Sequence, residues 1–210
     1  MGHDPGLLIT FEGIEGSGKT TQAQRLYEYL RAKHGDRVIF TYEPGDTEVG
    51  RRIREILIDK RYVIDAWTEL FLYLADRVAH VEQVIKPALD EGKIVISDRY
   101  ADSSVAYQGA GGVPIDTIRK FNEVATFGIK PQLTVLLDLP VEEGLTRLGE
   151  RDRIEAKDVE FHQTVRRYYL ELARSEPDRF VVLDGSKPED EIFETIVGIV
   201  DKLLVNRDAG

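Results

Sequence analysis

The chain contains no cysteine, so it can form no disulfide, thiolate nucleophile or zinc–thiolate site. It also lacks an apolar run approaching the ~20 residues that span a bilayer, and no signal-peptide pattern opens it. The expectation is a cytoplasmic protein without a membrane partner. Basic residues are in deficit, with 28 Lys and Arg against 38 Asp and Glu and a formal charge of −10. That balance argues against a broad electrostatic footprint for nucleic acid. A nucleotide-sized anion needs only a local cluster of donors and stays open. The four histidines show no H-E-x-x-H spacing and read as structural or surface residues. A single methionine, with asparagine only at Asn122 and Asn206, in a highly charged chain points to a heat-adapted source.

What is present is an alternation. Short runs rich in Val, Ile and Leu fall at 7–11, 38–42, 94–97, 133–138 and 180–183. Helix-period segments fall between them, at 20–33, 67–91, 158–175 and 188–204. Continuous apolar runs suit strands covered on both faces. The βαβα order therefore predicts one α/β domain over residues 1–210, with about five parallel strands flanked by helices on both faces.

The first run leads into Gly13-Ile14-Glu15-Gly16-Ser17-Gly18-Lys19-Thr20 and then Thr21. This is the G-x-x-x-x-G-K-[ST] loop of the P-loop NTPase fold, set between a strand and a helix. Its glycines let the backbone curl until several N–H groups face one phosphate chain, and the following helix adds its positive dipole end. Lys19 is expected on the β/γ-phosphates of ATP and the Thr20 hydroxyl on Mg²⁺. A chance glycine-rich turn is the bland alternative, which the strand–loop–helix context disfavours.

The third run ends in Ser97-Asp98-Arg99-Tyr100. Ligands of open parallel sheets bind outside the carboxyl ends of the strands. Asp98 is therefore expected beside the phosphate loop, holding Mg²⁺ or its waters, with Arg99 free to grip a second anion. After the fourth run, residues 142–155 carry Arg147, Arg151 and Arg153 around Gly149. Such a segment, about 147–157, could close as a lid and offset phosphoryl charge. The interleaved Glu142, Glu143, Glu150, Asp152 and Glu155 allow an ordinary solvated helix end as well.

Taken in order, these motifs resemble thymidylate kinases of the bacterial-like group, within the P-loop nucleoside monophosphate kinases. The resemblance rests on residues 11–21, Glu43-Pro44-Gly45, Ala75-Asp76-Arg77, Asp98-Arg99-Tyr100, residues 103–109 and Asp152-Arg153-Ile154-Glu155. It extends over about residues 8–204. With arginines in the lid and none in the phosphate loop, the chain is similar to the lid-arginine type. The resemblance implies that Arg147 or Arg153 contacts ATP. It assigns Arg99 and Arg54 to the dTMP phosphate, Arg77 to thymine and the phosphate region, and Tyr73 to stacking on the base. Ser104 and Gln108 would meet the thymine edge, Tyr107 the deoxyribose, and Glu15 the sugar hydroxyl. A homodimer is also implied.

Three positions depart from the family pattern. Tyr42 stands where arginine is usual, Asp46 where glycine is, and Tyr73 where phenylalanine is commoner. They bear on acceptor affinity rather than on reaction type. The acceptor is largely dianionic at neutral pH, since the second phosphate pKa is near ~6, so transfer needs positioning and charge rather than a base. Two rivals stay open. A deoxynucleoside kinase would use Glu43 as base on a neutral hydroxyl. A nucleotide-dependent switch or binding module would need no small-molecule acceptor.

Overall fold

Five stretches rich in Val, Ile, Leu or Phe form strands, the three central ones buried on both faces and the two edge ones partly open. They are β1 (Leu7–Glu12), β2 (Val38–Tyr42), β3 (Ile94–Asp98), β4 (Leu133–Asp138) and β5 (Phe180–Asp184). All pair in parallel, in the order β2-β3-β1-β4-β5. The computed structural model describes residues 6–149 and 152–208. Phe11 of β1 and Tyr42 of β2 both lie in register with Asp98 of β3, so the carboxyl ends of three strands meet at one edge.

Alternation along β1 sorts the core. Leu7, Ile9 and Phe11 pack with α1 (Lys19–His34) and α9 (Glu189–Asp208), through Leu26, Leu30, Ile192 and Ile196. Leu8 faces the other way, onto Val81, Ile85 and Val95. On that side α3 (Ala66–His80), α5 (Ala101–Ala110), α6 (Ile115–Ala125), α7 (Val141–Thr146) and α8 (Val159–Ser175) share one cluster around Leu70, Val105, Ile118 and Val165.

Three helices start on side-chain caps. Thr47 Oγ1 accepts from Gly50 N at 2.9 Å to open α2 (Glu48–Ile58). Asp65 accepts from the amides of Trp67 and Thr68 to open α3, and Asp158 from Phe161 N to open α8. The helix expected over 67–91 is not uniform. It runs as α3, then a π-helical turn at Val81–Ile85, then α4 (Lys86–Asp90). Pro87 in the first turn of α4 has no N–H to give to the preceding turn and its ring crowds that carbonyl, which favours a wider turn there. The lid segment follows α7, with turns at 153–156. Glu150 and Arg151 lie outside the described residues.

Candidate active site

The phosphate loop joins β1 to α1, and its shape depends on glycine. Gly16 has φ +73°, and a Cβ there would lie 2.2 Å from the carbonyl oxygen of Gly144 in α7. Gly18, with φ +87°, is the left-handed N-cap of α1. Ile14 buries its side chain in the core and turns its carbonyl to Lys19 Nζ at 3.3 Å. Ser17 Oγ is buried without a hydrogen-bond partner. Gly13 curls at φ +148°, while Thr21 is exposed on the first turn of α1.

The Thr20 hydroxyl donates to Asp98 Oδ2 at 2.5 Å, and Asp98 Oδ1 is buried with no partner. A threonine hydroxyl, a half-used carboxylate and phosphate oxygens form a donor set suited to Mg²⁺, which takes one or two protein oxygens and completes its shell with phosphate and water. Among the described residues, no group of three metal-ligating side chains offers a cage elsewhere.

Arg99 follows Asp98 in a left-handed conformation, φ +71°, a strain that a non-glycine residue holds only when its surroundings fix it. Its N–H bonds to Phe11 O at 3.0 Å. Its Nη2 donates to both oxygens of Glu15, at 2.7 and 2.6 Å, and its Nη1 to Ser103 Oγ at 3.1 Å. Lys19 Nζ donates to Glu15 Oε2 at 3.1 Å and Tyr107 Oη to Oε1 at 3.0 Å. Burial opposes the Glu15 charge, but Arg99 and then Lys19 hold its pKa down at about 2.

These groups line a cleft of about 400 Å³ that also exposes Glu43, Arg54, Tyr73, Ser104 and Gln108. Arg54 Nη1 donates to Pro44 O at 2.9 Å. The Tyr73 hydroxyl has no hydrogen-bond partner among the described residues, and burial raises its pKa. The lid adds Asp152, Ile154 and Glu155 to the wall.

Arg77 does not line the cleft. It is 1% exposed and spends every N–H on protein: Glu43 Oε2 at 2.9 and 2.7 Å, Tyr100 O at 3.1 Å, Ser104 Oγ at 2.9 Å and Asn122 Oδ1 at 2.8 Å. The resemblance implies an Arg77 contact with thymine. In this conformation its guanidinium lies behind Ser104 and Glu43 and meets the cleft through those two side chains. Glu43, whose other oxygen contacts His80 at 2.9 Å, is pushed up by burial but lowered on balance by Arg77 and His80. A carboxylate so engaged is a poor base, which weakens the nucleoside-kinase rival. Asp46 accepts from Thr41 Oγ1 at 2.5 Å, and Tyr42 Oη donates to Gly45 O at 3.4 Å.

The lid arginines separate. Arg147 Nη1 donates to Gly16 O at 3.2 Å and Gly185 O at 3.3 Å, beside the phosphate loop. Arg153 points away from it, with Nε on Leu57 O at 2.7 Å and Nη1 on Glu69 at 2.7 Å.

Four residues of this site carry no signal that sequence reading could use alone. Glu12 ends β1 fully buried and accepts from Tyr100 N at 2.8 Å, Ser103 Oγ at 2.6 Å and Tyr169 Oη at 2.8 Å. Burial, aided by Asp102, lifts its pKa to about 7 against the pull of Arg99. Ser103 and Tyr169 in turn touch Arg99, and Glu69 joins α3 to the lid. Glu12 and Ser103 sit inside quoted motifs, but their burial and partners come from the fold.

Comparison with known proteins agrees with this geometry. The thymidylate kinase family model matches residues 11–196. A thymidylate kinase of a Sulfurihydrogenibium species is 50% identical over 197 residues, covering 91% of this chain and 95% of that one. The Carboxydothermus hydrogenoformans thymidylate kinase is 50% identical over 202 residues, covering 94% and 98%. The crystal structure of the Ehrlichia chaffeensis thymidylate kinase superposes with a TM-score of 0.78 at 33% identity, covering 93% of this chain and 99% of that one. With a phosphate loop on β1, an Asp-Arg pair on β3 and relatives matched along almost their whole length, this chain belongs to the thymidylate kinase family.

Proposed function

We propose that the chain transfers the γ-phosphoryl group of ATP to the phosphate of dTMP, giving dTDP and ADP. The observation that carries this reading is the contiguity of Lys19, Glu15 and Arg99, which joins the phosphate loop to a cleft lined by Tyr73, Ser104 and Gln108. In the reaction a dTMP phosphate oxygen forms the new P–O bond as the bond from Pγ to the β–γ bridging oxygen breaks, and ADP leaves with that electron pair. The loop amides and Lys19 hold the β- and γ-phosphates. Arg99 and Arg54 neutralise the acceptor phosphate, while Tyr73 and Tyr107 pack base and sugar. Thr20 and Asp98 are the residues that would hold Mg²⁺, which when bound screens the charge between the phosphates.

Arg147 reaches the phosphate loop from its present position, so it is the lid cation we assign to ATP. Arg153 would have to leave Glu69 to reach a phosphate. The reading assigns the reaction to the cytoplasm, and among the described residues no helix is long and apolar enough to cross a membrane.

A homodimer belongs to the same proposal. Trp67 and Phe71 stack at 6.4 Å on α3, and Phe71 meets Phe121 of α6 at 5.7 Å, yet Trp67 and Phe71 are 44% and 53% exposed. An exposed aromatic cluster of this kind is the surface a second copy would cover.

ADP release from Mg-ATP, measured with dTMP, dUMP, dCMP, dGMP, AMP and thymidine as separate acceptors, tests the assignment. Preference for dTMP is expected. Preference for thymidine would transfer the reading to a nucleoside kinase, and slow hydrolysis with every acceptor would favour a switch.

A further inference from the structure

Glu69 lies in no motif that carries the family resemblance, yet it is 1% exposed in the wall behind the base pocket. Its carboxylate is ion-paired to Arg153 at 2.7 Å and to Lys157 at 3.3 Å. It also accepts from Gln108 Nε2 at 3.2 Å. A carboxylate has only acceptors to offer. Gln108 must therefore turn its NH₂ end to Glu69, because the opposite flip would set a carbonyl oxygen against a carboxylate. Gln108 lines the cleft, and with its NH₂ end turned to Glu69 its carbonyl oxygen is the acceptor it keeps for a ligand there.

The neighbouring Ser104 is constrained in the opposite sense. Arg77 Nη1 donates to Ser104 Oγ at 2.9 Å, and a guanidinium can only donate. Ser104 spends a lone pair behind the pocket and keeps its proton for the cleft, which it also lines. The pocket wall thus presents one acceptor and one donor, each set by a buried charge at one remove from the ligand.

We infer that Glu69 is a specificity-determining positioning residue: by holding the Gln108 amide in one orientation, it makes the site demand a pyrimidine edge with an N–H beside a carbonyl. Thymine and uracil carry that edge at N3–H and the flanking C=O. Cytosine carries its inverse, a bare N3 beside an amino group, and would face carbonyl oxygen with lone pair. A site whose polar groups are left unpaired rejects the wrong partner far more strongly than shape alone can. The 5-methyl group plays no part in this device, so it sorts cytosine from the other two pyrimidines and does not sort thymine from uracil.

The inference rests on the dTMP kinase reading, and the test separates the two. Glu69→Gln lets residue 69 offer an amide N–H, which frees Gln108 to flip and meet cytosine. kcat/KM for dTMP, dUMP and dCMP is compared in wild type and variant, together with equilibrium binding of each nucleotide without ATP. The dTMP:dCMP ratio is expected to fall about tenfold or more, while the dTMP:dUMP ratio stays within about threefold. A merely structural role would weaken all three acceptors in parallel. An unchanged dTMP:dCMP ratio, or parallel loss of both ratios, overturns the inference. Should Glu69→Gln not fold, Gln108→Met keeps the volume and both cations on Glu69, and the same selective fall in the dTMP:dCMP ratio is required of it. A wild type without preference for dTMP would instead sink the parent reading.

Discussion

Arg99 Nη2 lies 2.7 and 2.6 Å from the two oxygens of Glu15, and the same carboxylate receives Lys19 at 3.1 Å. One phosphate-loop side chain thereby ties the cation of the donor site to the cation of the acceptor site. Arg99→Ala is expected to lower kcat/KM for dTMP by about a thousandfold. Arg99→Lys should recover only part of it, because an ammonium lacks the planar fork. Steady-state ADP formation measures both, and an alanine variant with activity near wild type would remove Arg99 from the site.

Glu12 and Glu15 flank Gly13 and Ile14 yet titrate in opposite directions. The depressed Glu15 stabilises the fold above its unfolded pKa near 4.5, a contribution lost as pH falls toward about 2. Glu12, raised to about 7, keeps its proton longer in the folded state, so its contribution is full below about 4.5 and declines as pH rises toward 7. Glu12→Gln should abolish that decline. Melting temperatures of variant and wild type across pH 4.5 to 7 should then diverge in the variant's favour as pH rises. A pH-independent difference would contradict the assignment.

Arg77 and Arg54 should fail differently when shortened. Arg77→Met leaves buried Glu43 without its arginine partner, a loss of about 3–5 kcal/mol. For a chain of this size that is a drop in melting temperature on the order of 10 °C. Arg54, bonded among the described residues only to Pro44 O, should tolerate methionine with little change in melting and show instead about a tenfold rise in KM for dTMP. Thermal melts set beside acceptor kinetics check the contrast.

Gly16→Ala should cost more than Gly35→Ala, although both positions require a left-handed backbone. A Cβ at Gly16 meets Gly144 O at 2.2 Å, whereas at Gly35 nothing lies within 4 Å. Gly35→Ala should lose only the backbone strain of its positive φ, about 1–3 kcal/mol. Gly16→Ala should also displace α7 and weaken ATP binding, readable by nucleotide titration. Equal losses in the two variants would mean that α7 does not brace the loop.

The strands were legible in the sequence because parallel, doubly covered segments read as unbroken Val, Ile and Leu runs. α5 was not, because Asp102 through Gly109 are all buried and a helix covered all round has no polar face to set a period. α2 and α6, with 11 residues each and a one-sided apolar pattern, did carry a helix period that the sequence reading passed over. Within the site, the phosphate loop was legible because its chemistry and its chain geometry coincide. Side-chain pairing was not. Glu12 meets Tyr169 across the core, and Arg77 is saturated by Glu43 after β2, by Tyr100 and Ser104 of the α5 start, and by Asn122 of α6. The differing orientations of Arg147 and Arg153 likewise follow from what α2, α3 and the phosphate loop present to the lid.

The order β2-β3-β1-β4-β5 gives β1 its neighbours only from β3 and β4. On a ribosome, the first of these five strands therefore gains one hydrogen-bonding partner when residues 94–98 have emerged and the second only with residues 133–138, and Gly144 must follow before Gly16 has its abutment. The earliest-translated motif becomes one of the last to acquire its shape. Retention of nucleotide by nascent chains should thus begin abruptly beyond that length, so the loop reports that the polypeptide has closed its sheet.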